Sequence, residues 1–572
     1  MTTGFSQFLV LSFVALTLSA CGDDDSAPDD DAAVETGVET GVEVGADTSD
    51  AGEDAAALRV LSSGSESAFV ADDEWYRHAV FYELWVRSFQ DSDGDGIGDF
   101  PGLTSRLDYL QELGVEALWL MPFFPSPLID SGYDVADYIG VNPDYGTLED
   151  VDAFLAAAEE RGIRVYLDLV FNHVSDQHPW FLDSRENPDG ERGDWFVWED
   201  EEGENCSAPL GVFGDERWAF DETRGQYYFH QFFPRQPDLN FESEEVQQAL
   251  LDSARFWLER GVDGFRLDVP YHYAEEPPEC EHLPGSFAFL RRLRALTDEF
   301  DASMVGEVLA SGDIFDQYLE PDILQMSYSL ANIVGTNVLA STGIPGAQFI
   351  GLEDFESRKA PGKGALATIL GNHDVPRISG SSGTDERVRL MAIMHLTTPG
   401  VPFVYYGEEL GMLNGPGVIV DMRDQARTPM QWDGTENAGF TTGTPFLELA
   451  PEADVRNVMA EDADADSILN LYRRLIALRT ENRALTTGTL EVLEGFSSLA
   501  FWRRHPEDGA LLMLINYNPN EAPAALPASS LPSGELPTDR LTNATIGEFV
   551  EQDGEMFWSV TVPADTAYIL EF

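Results

Sequence analysis

The sequence predicts an α/β protein: a (β/α)8 TIM barrel with an inserted subdomain after strand 3 and a C-terminal antiparallel β-sandwich. Three observations predict it. From position 75 onward, short apolar β-rich runs alternate with amphipathic stretches, the pattern of βα units around a parallel sheet. One interval, between positions 170 and 264, is far too long for a βα loop. Beyond about position 487 the helical signal stops and short alternating segments replace it.

Taken in order, strands are expected at 79–86, 117–121, 165–170, 264–267, 304–308, 366–370 and 401–405, with a weaker one near 323–326. Eight strands close a barrel over 71–486, with helices over 148–161 and 246–260 between them. Residues 175–240, rich in Trp, Phe, Asp and Gly, read as the inserted subdomain, and 487–572 as the β-domain. At the other end, the apolar run 8–18 is too short to span a bilayer, so residues 1–21 read as an export signal. Leu18-Ser19-Ala20-Cys21 resembles a bacterial lipobox, although no Lys or Arg precedes the run. Residues 22–70 hold mainly Asp, Glu, Gly, Ala, Thr and Ser, and read as a disordered acidic linker. The expectation is an exported monomer, at the cell envelope or outside it, that touches membrane only through a lipid anchor at Cys21.

Charge narrows the partners. Of 572 residues, 103 are acidic and 33 basic, a formal net of −70, and the lysines are Lys359 and Lys363 alone. So acidic a surface repels nucleic acid and anionic headgroups, which excludes both as partners. It fits either a salty medium, where screening removes the self-repulsion, or a compositional bias of the genome. Cys206 and Cys280 are either bridged or free thiols, and the sequence does not choose between them.

In such barrels chemistry sits at the C-terminal ends of the strands. Four segments there carry it: Asp168 to Asn172-His173, Arg266-Leu267-Asp268, Gly306-Glu307-Val308 and Asn372-His373-Asp374. An acetal breaks through an oxocarbenium-like transition state, which needs a proton on the leaving oxygen and negative charge near the anomeric carbon. Arg266 beside Asp268 is expected to keep that carboxylate ionised, and Glu307 among other carboxylates is expected to hold a raised pKa.

These four segments, in this order, resemble the signature regions of glycoside hydrolase family 13, the α-amylase family, and the likeness runs from about Trp75 to the C-terminus. The resemblance implies Asp268 as nucleophile, Glu307 as acid/base and Asp374 as the transition-state carboxylate, with His173, Arg266 and His373 lining the same subsite. Gln236-Pro-Asp-Leu-Asn240 resembles the oligo-1,6-glucosidase group. Tyr133-Asp134 and Arg377 resemble that group's pair holding a terminal glucose, which would make the enzyme exo-acting. Arg427-Thr-Pro-Met-Gln-Trp432 is shared by α-glucosidases and trehalose synthases.

Asp91, Asp93 and Asp95 alternate before Gly96, as in the first part of a calcium loop. Related glucosidases hold Ca2+ with a matching loop, so the resemblance implies Asp91, Asp93, Asp95, Asp99 and the Ile97 carbonyl as ligands of a structural ion. No organic cofactor is expected.

Three functions remain open. The first is a retaining α-glucosidase acting on α-1,4 or α-1,6 bonds of short α-glucoside oligosaccharides, with Val269 after the nucleophile pointing to α-1,6. The second is a trehalose synthase or another transglucosidase, since residues 75–180 and 269–284 resemble the synthases. The third, a silent sugar-binding protein, sits poorly with three intact carboxylates.

Overall fold

The computed structural model describes residues 58–60, 74–203, 206, 211–214, 216–310, 312–329 and 363–572. The export signal, the lipobox and most of the acidic linker lie outside the described residues.

Eight strands close a parallel barrel: β1 (Phe81–Leu84), β2 (Ala117–Leu120), β3 (Arg164–Leu169), β4 (Gly264–Leu267), β5 (Ser303–Val308), β6 (Met326–Ser329), β7 (Ala365–Ile369) and β8 (Val401–Tyr405). β8 returns to β1 with Phe403 opposite Phe81, and these rings stack at 4.3 Å. The weakest expected strand, β6, begins where its predicted span ends: Gln325 is instead buried, with its side-chain oxygen accepting from Met304 N.

Local chemistry explains the helices around the barrel. Thr147 and Asp150 form a reciprocal capping box at the start of Leu148–Glu159, worth about 1 kcal/mol. Ser243 caps Glu244–Leu258, whose Val246, Leu250, Ala254 and Trp257 recur at helical spacing and are buried.

Inside the barrel the strand alternation changes character with height. The lower layers are apolar: Phe81, Ala117, Val305, Met326, Ala367 and Phe403 form one buried cluster. One step further along the same inward rows stand Glu83, Asp168, Arg266 and Glu307. The strands thus run from an apolar floor to a charged rim.

Between β3 and Glu244–Leu258, Trp198–Glu199, Gln226–Phe229 and Trp218–Asp221 form a small antiparallel sheet. Cys206 and Cys280 are disulfide-bonded, with Cα atoms 5.7 Å apart across 74 positions. The bridge ties this subdomain to the loop that follows β4. Closing so long a loop favours the folded state by about 4 kcal/mol on chain-entropy grounds.

The C-terminal residues form a six-stranded and a three-stranded antiparallel sheet, packed around Trp502, Leu512, Leu514, Ala524, Trp558 and Val562. One edge of the larger sheet corrects the linker reading. Arg59–Val60 pairs with Thr489–Glu494, and Leu58 is buried with its N–H bonded to Ala525 O at 2.8 Å. Leu58 and Val60 are apolar positions in the acidic stretch, and the described backbone at 58–60 is satisfied at this sheet edge. The linker reading of 22–70 therefore runs too far.

Candidate active site

Arg266 organises the rim. Its Nη1 donates to both oxygens of Asp168, at 2.8 and 3.0 Å, and to Asp268 Oδ1 at 2.8 Å, while Nη2 donates to Glu307 Oε2. One guanidinium therefore bridges the expected nucleophile and the expected acid. Asp168 is held from its other side by Trp119 Nε1 at 3.1 Å and Tyr133 OH at 2.8 Å. Burial, opposed by Arg266 and reinforced by the Asp168 charge, pushes the Asp268 carboxyl up to about 7. The sequence leads one to expect that Arg266 keeps this carboxylate ionised, but one cation shared among three carboxylates does not offset their burial.

Backbone geometry aims Asp268. Val269, the next residue, has φ 35°, and Pro270–His272 begins a short 3-10 turn behind it. A β-branched residue in the left-handed region is strained and persists only where its surroundings enforce it. The strain turns the chain sharply as Asp268 leaves β4.

Asp374 faces this cluster from the loop after β7. It accepts from Arg427 at 3.0 Å and Arg423 at 3.2 Å. Burial opposes its ionisation, but the neighbouring positive charges outweigh it and hold the carboxyl well below its ordinary range. His373 is buried beneath the ring of Tyr133, which stacks on it at 5.1 Å. His173 Nε2 donates to Tyr133 O at 3.0 Å, and burial lowers its pKa to about 4, leaving a neutral ring.

The expected pair Asp134 and Arg377 is not brought together. Asp134 is fully buried within its own loop, accepting from Ser126 Oγ at 2.8 Å and from the N–H groups of Ile129 and Asp130. Arg377 donates instead to Tyr406 O at 2.6 Å. The acid–arginine pair at the pocket is Asp130 with Arg423, at 2.5 Å, and Arg423 is also bonded to Asp374 and Asp421. The sequence reading missed both members. It also missed Glu83, whose Oε1 lies 2.6 Å from His373 Nδ1, and the contact between Asp238 and Glu275. Burial raises both of those carboxyls well above their ordinary values, since touching anions need a proton or a cation between them.

Away from the chemistry, carboxylate oxygens of Asp91, Asp93 and Asp99 lie within 4.8 Å of one another. Asp95 stands outside that group, accepting from Ile97 N at 2.8 Å. Burial would raise Asp91, but the Thr441 hydroxyl and the N–H groups of Gly94, Gly96 and Asp93 outweigh it and hold the carboxyl low. Gly96 adopts φ 96°, and a Cβ there would lie 1.9 Å from Thr444 O, so the tight turn admits only glycine.

The chain is similar to known proteins over most of its length. The α-amylase catalytic-domain family model matches residues 83–488. A trehalose synthase/amylase TreS of Mycobacterium tuberculosis (strain CDC 1551 / Oshkosh) is 37% identical over 511 residues, covering 79% of this chain and 83% of the relative. A probable α-glucosidase of Rhizobium meliloti (strain 1021) is 36% identical over 527 residues, covering 82% and 94%. Among solved structures, the α-glucosyl transfer enzyme XgtA superposes with a TM-score of 0.76 at 32% identity, covering 87% of this chain and 99% of that one. With the barrel and these relatives in agreement, the chain belongs to the α-amylase family and is an enzyme that hydrolyses or transfers glycosyl groups.

Proposed function

We propose that this enzyme is a retaining, exo-acting α-glucosidase that removes glucose from the non-reducing end of short α-1,4- or α-1,6-linked oligosaccharides. The observation that carries the reading is the ion pair of Asp130 and Arg423, which is joined to Asp374. Such a pair walls the site against a longer chain and offers hydrogen bonds to the hydroxyls of one terminal sugar. It takes the part that the sequence reading gave to Asp134 and Arg377.

In the first step Asp268 attacks the anomeric carbon while Glu307 gives its proton to the leaving oxygen. In the second, Glu307 takes a proton from water, which displaces Asp268 and releases the α-configured product. Bridging by Arg266 supports this double displacement, because retention needs the two carboxyls close together, about 5–5.5 Å apart. Asp374 stays anionic to stabilise the oxocarbenium charge, and Tyr133, His173 and His373 line the sugar.

A structural calcium ion fits the loop at Asp91, Asp93 and Asp99, whose hard oxygen donors converge. Asp95 and the Ile97 carbonyl complete the set proposed from sequence. The ion would tie this loop to the segment around Thr441, away from the chemistry.

A second reading, trehalose synthesis from maltose, is favoured by the likeness to the TreS relative, which matches that to the glucosidase. Products formed from maltose, isomaltose and maltotriose, in high salt with calcium, decide between them. Glucose as the main product supports the hydrolase. Trehalose from maltose with little free glucose sinks it in favour of the synthase.

A further inference from the structure

Glu83 projects from β1 into the charged layer, where it meets His373 from the loop after β7. Its Oε1 is 2.6 Å from Nδ1 of His373, both side chains are 1% exposed, and the ring's Nε2 lies 3.4 Å from Asp374 Oδ2. Tyr133 stacks on the ring, and the edge of Trp119 meets it at 5.8 Å.

These contacts dictate where the protons sit. Arg423 and Arg427 keep Asp374 ionised, so a bare lone pair on Nε2 would face a carboxylate; Nε2 therefore carries hydrogen. Nδ1 then either accepts from a protonated Glu83 or, in an imidazolium, donates to an ionised one. The groups facing the pair are the cations Arg266, Arg423 and Arg427, the anions Asp168 and Asp374, and the hydroxyls of Tyr328 and Tyr405. Burial pushes Glu83 well above the usual carboxylate range and His373 well below that of a free imidazole. Both shifts favour the neutral pair over the ionic one.

We propose that Glu83 is a positioning residue: as a neutral acid donating to Nδ1, it fixes His373 as the Nε2–H tautomer, a standing donor beside Asp374. A group bonded to the second nitrogen of a histidine sets both its tautomer and its orientation. A donor aligned in advance needs no reorganisation as charge builds in the transition state. The kinetic consequence rests on the α-glucosidase reading; the tautomer does not.

The test compares Glu83→Gln, which keeps a donor toward Nδ1, with Glu83→Leu, which removes it. The full chain is labelled with 15N-histidine, and His373→Asn assigns the resonance. Expected is a neutral Nε2–H ring from pH 6 to 8 in the wild type and in E83Q, and mixed tautomers in E83L. For turnover of maltose, E83L loses at least about 30-fold in kcat with KM little moved, and E83Q loses no more than about threefold. Melting curves establish that each variant is folded. An imidazolium or an Nδ1–H ring in the wild type, or a single Nε2–H tautomer in folded E83L, overturns the proposal. If the wild type turns over no α-glucoside, the functional reading fails, and the nitrogen spectra still decide the role of Glu83.

Discussion

The two walls of the pocket carry the same kinds of groups in different proportions. On the wall built by β3, β4 and β5, Asp168, Asp268 and Glu307 share the one guanidinium of Arg266. On the wall built by the loops after β2, β7 and β8, Asp130, Asp374 and Asp421 share two, Arg423 and Arg427. Asp268, 10% exposed, is pushed up to about 7, while Asp374, 36% exposed, is held well below its ordinary value. Deeper burial lifts Asp268, whereas the positive charges beside the more exposed Asp374 hold that carboxyl low.

The largest effect should come from the nucleophile. Asp268→Asn preserves shape and removes the attacking oxygen, so kcat should fall by roughly 10⁴-fold or more while oligosaccharide binding, measured by calorimetry, persists. A variant that keeps a tenth of the activity would remove Asp268 from its role. Next comes the opposite wall. Arg423→Ala leaves Asp130 buried without its partner, and breaking such a pair costs about 3–5 kcal/mol. We expect kcat/KM on maltose to fall by about 10²-fold or more, with a lower Tm. Arg423→Lys should recover only part of this, since a point charge cannot serve Asp130, Asp374 and Asp421 as the guanidinium does.

The pH profile sharpens the same contrast with a smaller change. Because the Asp268 carboxyl is lifted to about 7, it becomes protonated, and non-nucleophilic, as pH falls through that value. The acidic limb of kcat/KM should therefore lie near 7 and descend about tenfold per pH unit below it. Asp374, held low, contributes no limb in that range. A limb in the ordinary carboxylate range, near 4, would show that the two walls do not differ as described.

Much of this site was legible because strand periodicity and chemistry coincide. Arg266, Asp268 and Glu307 stand where inward-facing rows pass from apolar to charged, and a motif in sequence order marks that change. Glu83 gave the same signal, a charge inside the buried run Phe81–Leu84, but it has no motif around it and its partner is 290 positions away. Asp130 and Asp134 sit four positions apart in one loop; only the folded loop shows that Asp134 spends its oxygens on Ser126, Ile129 and Asp130. Arg423 precedes the recognised Arg427–Trp432 run, and its reach across the pocket is a tertiary fact. The same holds for the Arg59–Val60 edge strand, which pairs with residues more than 400 positions away.

The acidic loop offers the gentlest probe, because it lies outside both walls. Asp91 through Asp99 is anchored on the segment 440–446, with Asp91 N donating to Phe440 O at 3.0 Å and Phe446 N donating to Gly96 O at 3.0 Å. An ion bound only by the folded loop adds stability by mass action, about 2.7 kcal/mol when calcium stands at a hundred times its Kd. Chelation should therefore lower Tm by a few degrees and leave kcat at 25 °C nearly unchanged. Asp93→Asn should abolish the calcium-dependent shift, because it removes one of the three convergent carboxylates while leaving the hydrogen bonds of Asp91 in place. A Tm that ignores calcium would remove the ion from this loop. A shift that survives in Asp93→Asn would place the ion elsewhere, and a large loss of kcat on chelation would mean that the loop is coupled to the two walls.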